Sequence, residues 1–129
     1  IKYGGKITGI TPEVFNTDEM RHEEIENIYT KDLFERKKMM LDDCDAFIAF
    51  PGGMGTMDEA LAVLVEKQVG SHDKPVLFLN HFDFWTPLLD FFGELRQRQM
   101  LSKNTNEYYT AFEKTEELTS WISQWKGAR

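Results

Sequence analysis

One glycine-rich junction constrains the fold of this chain more than any other feature. Residues 46–64 read AFIAFPGGMGTMDEALAVL, so a short apolar run passes through Pro51 and three glycines into a stretch with helical spacing. This order of apolar strand, glycine-rich turn and amphipathic helix is typical of α/β proteins. It predicts a strand over residues 46–50 and a helix over residues 56–69.

Apolar runs and helix-period segments alternate along the rest of the chain. Continuously apolar strands, such as PVLFLN at residues 75–80, are typical of a parallel sheet that helices cover on both faces. We therefore expect an α/β, doubly wound layout. The spacing predicts further helices over residues 31–43, 84–100 and 115–125, and further strands near residues 6–10, 24–29, 75–80 and 108–112.

Charge and composition disfavour several classes of partner. The formal net charge is −7 and no basic run occurs, so we expect no nucleic-acid or membrane partner. No segment approaches the roughly 18 apolar residues of a membrane span. The single cysteine, Cys44, cannot form a disulfide framework, which favours a reducing compartment and a cytoplasmic location. The histidines lack metal-ligand spacing, so no metal is expected. No lysine has the sequence context of a pyridoxal site, and no organic cofactor is expected.

The glycine-rich turn has two interpretations. Its glycines could serve only the geometry of a tight turn, with positive φ angles that other residues avoid. Alternatively, Gly52, Gly53 and Gly55 could let a phosphate approach the backbone at the start of the following helix. There, unpaired N–H groups and the helix dipole attract anions. Three glycines within four positions favour the bound phosphate.

The residues that follow the turn also have two interpretations. Thr56 and Glu59 have the Thr-x-x-Glu spacing of a capping box, in which Thr56 caps the helix and Glu59 folds back onto the cap. A carboxylate in the first helical turn could instead stabilise an oxocarbenium-like transition state, or activate a water, beside a bound sugar phosphate. The spacing alone leaves both possibilities open.

Two basic residues in the predicted helix before the turn are further candidates for the functional site. Lys37 falls within the apolar stripe of this helix and Arg36 borders it. Both side chains could extend from the edge of the core to solvent. However, a lysine on a buried face needs a partner, and either a phosphate or Glu59 could supply one. The stripe consists of Leu33, Phe34, Met40, Leu41 and Cys44.

These motifs resemble those of the lonely guy phosphoribohydrolases, which are often mislabelled lysine decarboxylases. The match consists of Arg36 and Lys37, followed by PGGMGTMDE at residues 51–59, and it extends to GGKITGITP and HDKPVLFLN. By this resemblance Glu59 is the catalytic carboxylate and Arg36 is its catalytic partner at the ribose. The residues assigned to phosphate or substrate binding are Lys37, Pro51, Gly52, Gly53, Met54, Gly55 and Thr56.

The resemblance implies a fold and an activity. It implies a single Rossmann-like domain over residues 1–129, a three-layer sandwich with a central parallel sheet, apparently without the N-terminal βαβ portion of the family. It implies hydrolysis of the N-glycosidic bond of a cytokinin riboside 5′-monophosphate, or of an AMP-like nucleotide, by a homodimer or higher homo-oligomer. The alternative is a non-catalytic carrier of a nucleotide or of molybdenum cofactor, which would need the glycine loop without the pair of Arg36 and Glu59.

Overall fold

The computed structural model describes residues 2–15, 24–125 and 127. Strands and helices alternate along the described chain, which confirms the predicted α/β class. The strands are β1 (Thr8–Pro12), β2 (Glu26–Thr30), β3 (Phe47–Ala49), β4 (Val76–Leu79) and β5 (Thr110–Phe112). The α-helices are α1 (Leu33–Asp42), α2 (Met54–Gln68), α3 (Thr86–Gln97) and α4 (Thr115–Gln124), and short 3-10 helices cover Glu13–Phe15, His81–Asp83 and Lys103–Glu107.

The chain divides into two compact units, Ile1–Cys44 and Asp45–Arg129. In the first unit β1 and β2 pair in parallel, with Ile10 opposite Ile28, and α1 packs against both strands. The single domain predicted over residues 1–129 stays a prediction. None of the helices within the described residues is long and apolar enough to cross a membrane.

In the second unit β4 lies between β3 and β5, and all three strands are parallel. Every residue of β4 is buried because helices cover both faces of the strand. Val76 and Phe78 pack on one face with residues of α2 and α3. Leu77 and Leu79 face the other way and pack against Leu118 of α4. This alternation of side chains produces the helix–sheet–helix layering predicted for a Rossmann-like fold.

Two helices end at a residue with positive φ. Gly70 (φ 82) follows α2, and the N–H of Ser71 donates to the carbonyl of Glu66 over 2.9 Å. Gln99 (φ 60) ends α3 in the same way, with the N–H of Met100 donating to the carbonyl of Leu95 over 2.8 Å. Both arrangements are Schellman motifs. The helix predicted over residues 84–100 is therefore shorter than expected at its carboxyl end.

Candidate active site

The glycine-rich turn joins β3 to α2 at the carboxyl edge of the three-stranded sheet. Gly53 is the N-cap of α2, with φ −86° and ψ −156°, and the N–H of Met57 donates to its carbonyl over 3.1 Å. Helix α2 therefore begins two residues earlier than predicted. Ligands of open parallel sheets bind outside this edge.

Of the two interpretations of Thr56 and Glu59, the capping box is wrong. A capping residue must have extended backbone just before the helix, and Gly53 occupies that position. Thr56 is the third residue of α2, and Glu59 is the sixth, in the second turn rather than the first. Because Gly53 has no side chain, the N-cap residue itself makes no side-chain cap. Glu59 thus has no role as a cap.

A side-chain cap forms instead at the start of α1. The Asp32 carboxylate accepts hydrogen bonds from the N–H groups of Phe34 and Glu35, each over 2.9 Å. Glu35 reaches back to accept from the N–H of Lys31. The sequence Asp32-x-x-Glu35 carries this signal, which our sequence analysis missed.

Gly52 is required because a side chain would not fit there, and not because of its backbone conformation. A Cβ atom on Gly52 would collide with Oγ1 of Thr56 and would lie 2.9 Å from Cβ of Thr56. Cβ atoms on Gly53 or Gly55 would meet nothing within 4 Å. The positive φ angles expected here are wrong, since the described glycines with positive φ are Gly4, Gly70 and Gly127.

The first turn of α2 has the properties of an anion site. The N–H groups of Met54, Gly55 and Thr56 have no intrahelical partner, because an α-helix leaves its first N–H groups unbonded. The helix dipole favours negative charge at the same end. Thr56 and Glu59 are three residues apart, so both half-buried side chains lie on one side of the helix. A phosphate bound to the first turn would therefore lie near a hydroxyl and a carboxylate.

Arg36 and Lys37 lie on α1, in the first unit, and both are half-buried. Nζ of Lys37 lies 5.6 Å from the ring centre of Phe34, within the range of a cation–π contact. The expected burial of the stripe is wrong at Leu33 and Phe34, whose side chains are exposed. Lys38 is exposed, and its hydrogen bond to Asp42 together with the charge of that residue raises the pKa of Lys38.

In the structure Gly52 and Thr56 are in contact. The prediction that Arg36 acts together with Glu59 stays a prediction. His72 lies in the loop after α2 and is half-buried. Its Nδ1 accepts from the N–H of Lys74 over 3.1 Å, and its Nε2 lies 2.9 Å from the carbonyl oxygen of Val63. Within the described residues, no three His, Cys, Asp or Glu side chains form a group that could hold a metal ion.

Residues 1–122 match the family model described as "Possible lysine decarboxylase". The chain belongs to this family. Within the possible lysine decarboxylase family, the predicted resemblance to the lonely guy phosphoribohydrolases is confirmed by the names of similar proteins. The cytokinin riboside 5′-monophosphate phosphoribohydrolase LOG3 of Arabidopsis thaliana is 32% identical over 123 residues, which cover 95% of this chain and 57% of that protein.

Two bacterial proteins that are also named cytokinin riboside 5′-monophosphate phosphoribohydrolase are similar too. The protein of Rhodococcoides fascians is 38% identical over 90 residues, covering 68% of this chain and 46% of that protein. The protein of Mycobacterium marinum is 34% identical over 106 residues, covering 81% of this chain and 57% of that protein. The chain therefore spans 57% or less of the length of these three members of the possible lysine decarboxylase family.

Proposed function

We propose that this protein hydrolyses the N-glycosidic bond of a nucleoside 5′-monophosphate and releases the free base and ribose 5-phosphate. The observation that carries the proposal is the start of α2, where the N-cap residue Gly53 has no side chain and a Cβ on Gly53 or Gly55 would meet nothing within 4 Å. The names of the similar phosphoribohydrolases support a cytokinin riboside 5′-monophosphate, or an AMP-like nucleotide, as the substrate.

The turn before α2 binds the 5′-phosphate. The N–H groups of residues 54–56 donate to the phosphate oxygens, and the Thr56 hydroxyl adds another donor. Lys37 supplies a positive charge, and Pro51 and Met54 border the phosphate. Binding energy from this remote group holds the sugar in place while the bond at C1′ breaks.

Glu59 acts on the sugar. As the C1′–N bond breaks, its electron pair leaves with the base, which takes up a proton, and positive charge develops on the ribose. The Glu59 carboxylate stabilises that charge and accepts a proton from the water that bonds to C1′. Arg36 orients Glu59 and the ribose hydroxyls. This chemistry uses neither a metal nor an organic cofactor.

A conservative change at Glu59 tests this mechanism. We expect Glu59→Gln to lower kcat about 10²- to 10⁴-fold, the usual effect of removing a general acid or base. Stability should hardly change, because Glu59 does not cap α2. Release of ribose 5-phosphate from a panel of nucleoside monophosphates measures the activity. Arg36→Ala should also lower kcat while phosphate binding persists.

The matched control is Glu66→Gln, which changes a half-buried glutamate two turns further along α2. This variant should retain the activity of the parent. Wild-type turnover by Glu59→Gln, on a nucleotide that the parent cleaves, would reject the mechanism and favour the non-catalytic carrier.

We also propose that the protein is a homodimer or higher homo-oligomer in the cytoplasm. Exposed apolar side chains on α1 and α2 support self-association, since large apolar patches on a surface commonly mark interfaces. The single cysteine supports a reducing compartment.

A further inference from the structure

The loop after β4 is held rigidly by one buried asparagine. The Asn80 side chain donates to Oγ1 of Thr86 over 2.9 Å and accepts from the N–H of Trp85 over 2.6 Å. The backbone carbonyl of Asn80 accepts from the N–H of Asp83. Trp85 is itself buried in the core of the second unit. Residues 81–84 are therefore anchored at both ends.

This rigid loop presents an aromatic side chain in a strained conformation. Phe82 has φ 53° and ψ 36°, in the left-handed region that a bulky side chain rarely adopts. Its side chain is 88% exposed, so burial does not compensate for the strain. The His81 ring lies beside it, with ring centres 4.1 Å apart. Strain of this kind is concentrated at ligand sites.

The loop and the glycine-rich turn lie at the same edge of the sheet, where the carboxyl ends of β3 and β4 meet. Ala49 of β3 pairs with Phe78 of β4, so the two segments leave neighbouring parallel strands, which lie about 4.8 Å apart, at the same edge. They lead into α2 and α3, which pack in one apolar cluster on one face of β4. The proposed phosphate site and the His81–Phe82 pair therefore share both an edge and a face of the second unit.

We infer that Phe82, supported by His81, is the surface on which the nucleobase of the substrate stacks. This inference rests on the proposed function. A planar base has an apolar face that an exposed aromatic ring covers well, as in proteins that bind single-stranded nucleic acid. The phosphate at α2 would fix one end of the nucleotide, and Phe82 would hold the other. Phe82 is thus a specificity-determining residue rather than a catalytic one.

The key variant is Phe82→Asn, because asparagine accepts positive φ and lacks the ring. We expect its KM for the nucleoside monophosphate to rise about 10- to 100-fold, as for the loss of one base–aromatic stacking contact. The kcat should not change, because stacking binds the ground state and the transition state alike. Affinity for ribose 5-phosphate, which has no base, should also stay the same. Phe82→Tyr should restore the parental KM.

Phe91→Ala is the matched control, since Phe91 is an exposed phenylalanine on α3 of the same unit. Its KM should equal that of the parent. An unchanged KM in Phe82→Asn, or an equal loss of ribose 5-phosphate affinity, would overturn the stacking role and leave the proposed function intact. A full-length parent that cleaves none of the nucleotides would overturn the proposed function, and the inference with it.

Discussion

Gly52 and Thr56 fit together at the scale of single residues. The Thr56 side chain occupies the space in which any other residue at position 52 would place its Cβ. The glycine therefore holds the threonine hydroxyl close to the backbone of the turn. In the proposed function that hydroxyl donates a hydrogen bond to the phosphate. The absence of a side chain at Gly52 therefore affects how Thr56 binds the phosphate.

Gly52→Ala tests this fit. The added methyl group must displace the Thr56 side chain, and overpacking of this kind costs about 1–3 kcal/mol of unfolding free energy. Phosphate affinity should fall as the hydroxyl moves. Urea unfolding and calorimetric titration with AMP measure the two effects.

Gly55→Ala serves as its control, because a Cβ at Gly55 meets no atom within 4 Å. Alanine in place of glycine within a helix should raise stability by up to about 1 kcal/mol. The two alanine substitutions should thus change the unfolding free energy in opposite directions. Equal effects would show that the contact with Thr56 is unimportant.

At the scale of elements, α1 and α2 begin in opposite ways. Asp32 caps α1 with its carboxylate, whereas the N-cap of α2 is Gly53, which has no side chain. A carboxylate at a helix N-terminus satisfies the same N–H groups that would bind a phosphate. In the proposed function, the absence of a side chain at Gly53 leaves these N–H groups to the phosphate.

Gly53→Asp should raise the unfolding free energy and abolish AMP binding. The space around Gly53 is open, so an aspartate fits and can cap α2. We expect a gain of about 0.3–1 kcal/mol in unfolding free energy from the cap and the helix dipole. AMP binding should be lost, because the carboxylate competes for the N–H groups and repels the phosphate. Calorimetry measures the binding.

Gly53→Ala distinguishes the effect of the added charge from the effect of the added side-chain volume, since it adds a side chain without a carboxylate. It should weaken AMP binding less than Gly53→Asp. Parental AMP affinity in the aspartate variant would mean that the anion binds elsewhere.

On the scale of the whole molecule, exposed apolar side chains predict self-association. Val65 of α2 and Val69, the C-cap residue of that helix, are exposed and lie one turn apart, so they form one apolar strip. We expect the intact protein to sediment as a dimer at micromolar concentration, and Val65→Lys with Val69→Lys to yield monomers that remain folded. Sedimentation velocity and circular dichroism measure both properties. A monomeric parent would contradict the proposal.

Much of this fold could be predicted because its signals are local. Apolar runs and helical spacing located every strand and α-helix of the described chain. The start of α2 was misplaced because Thr56 and Glu59 imitate a capping box. Only the backbone path shows that Gly53 takes the cap position.

Features that depend on contacts between elements could not be predicted from patterns in the sequence. Phe82 lies in the left-handed region, within a loop that the hydrogen bond between Trp85 and Asn80 closes, and no propensity indicates that conformation for phenylalanine. Likewise, the apolar spacing of α1 predicted burial, yet Phe34 is exposed and its ring contacts Lys37 instead.

The uncapped start of α2 also links the fold to the ligand by mass action. A phosphate bound there would complete the first turn of α2 as Asp32 completes that of α1. Any ligand that binds only the folded state adds to its stability, by about 2.7 kcal/mol at a concentration one hundred times its Kd. The resistance of the protein to unfolding would then rise and fall with the supply of its own substrate.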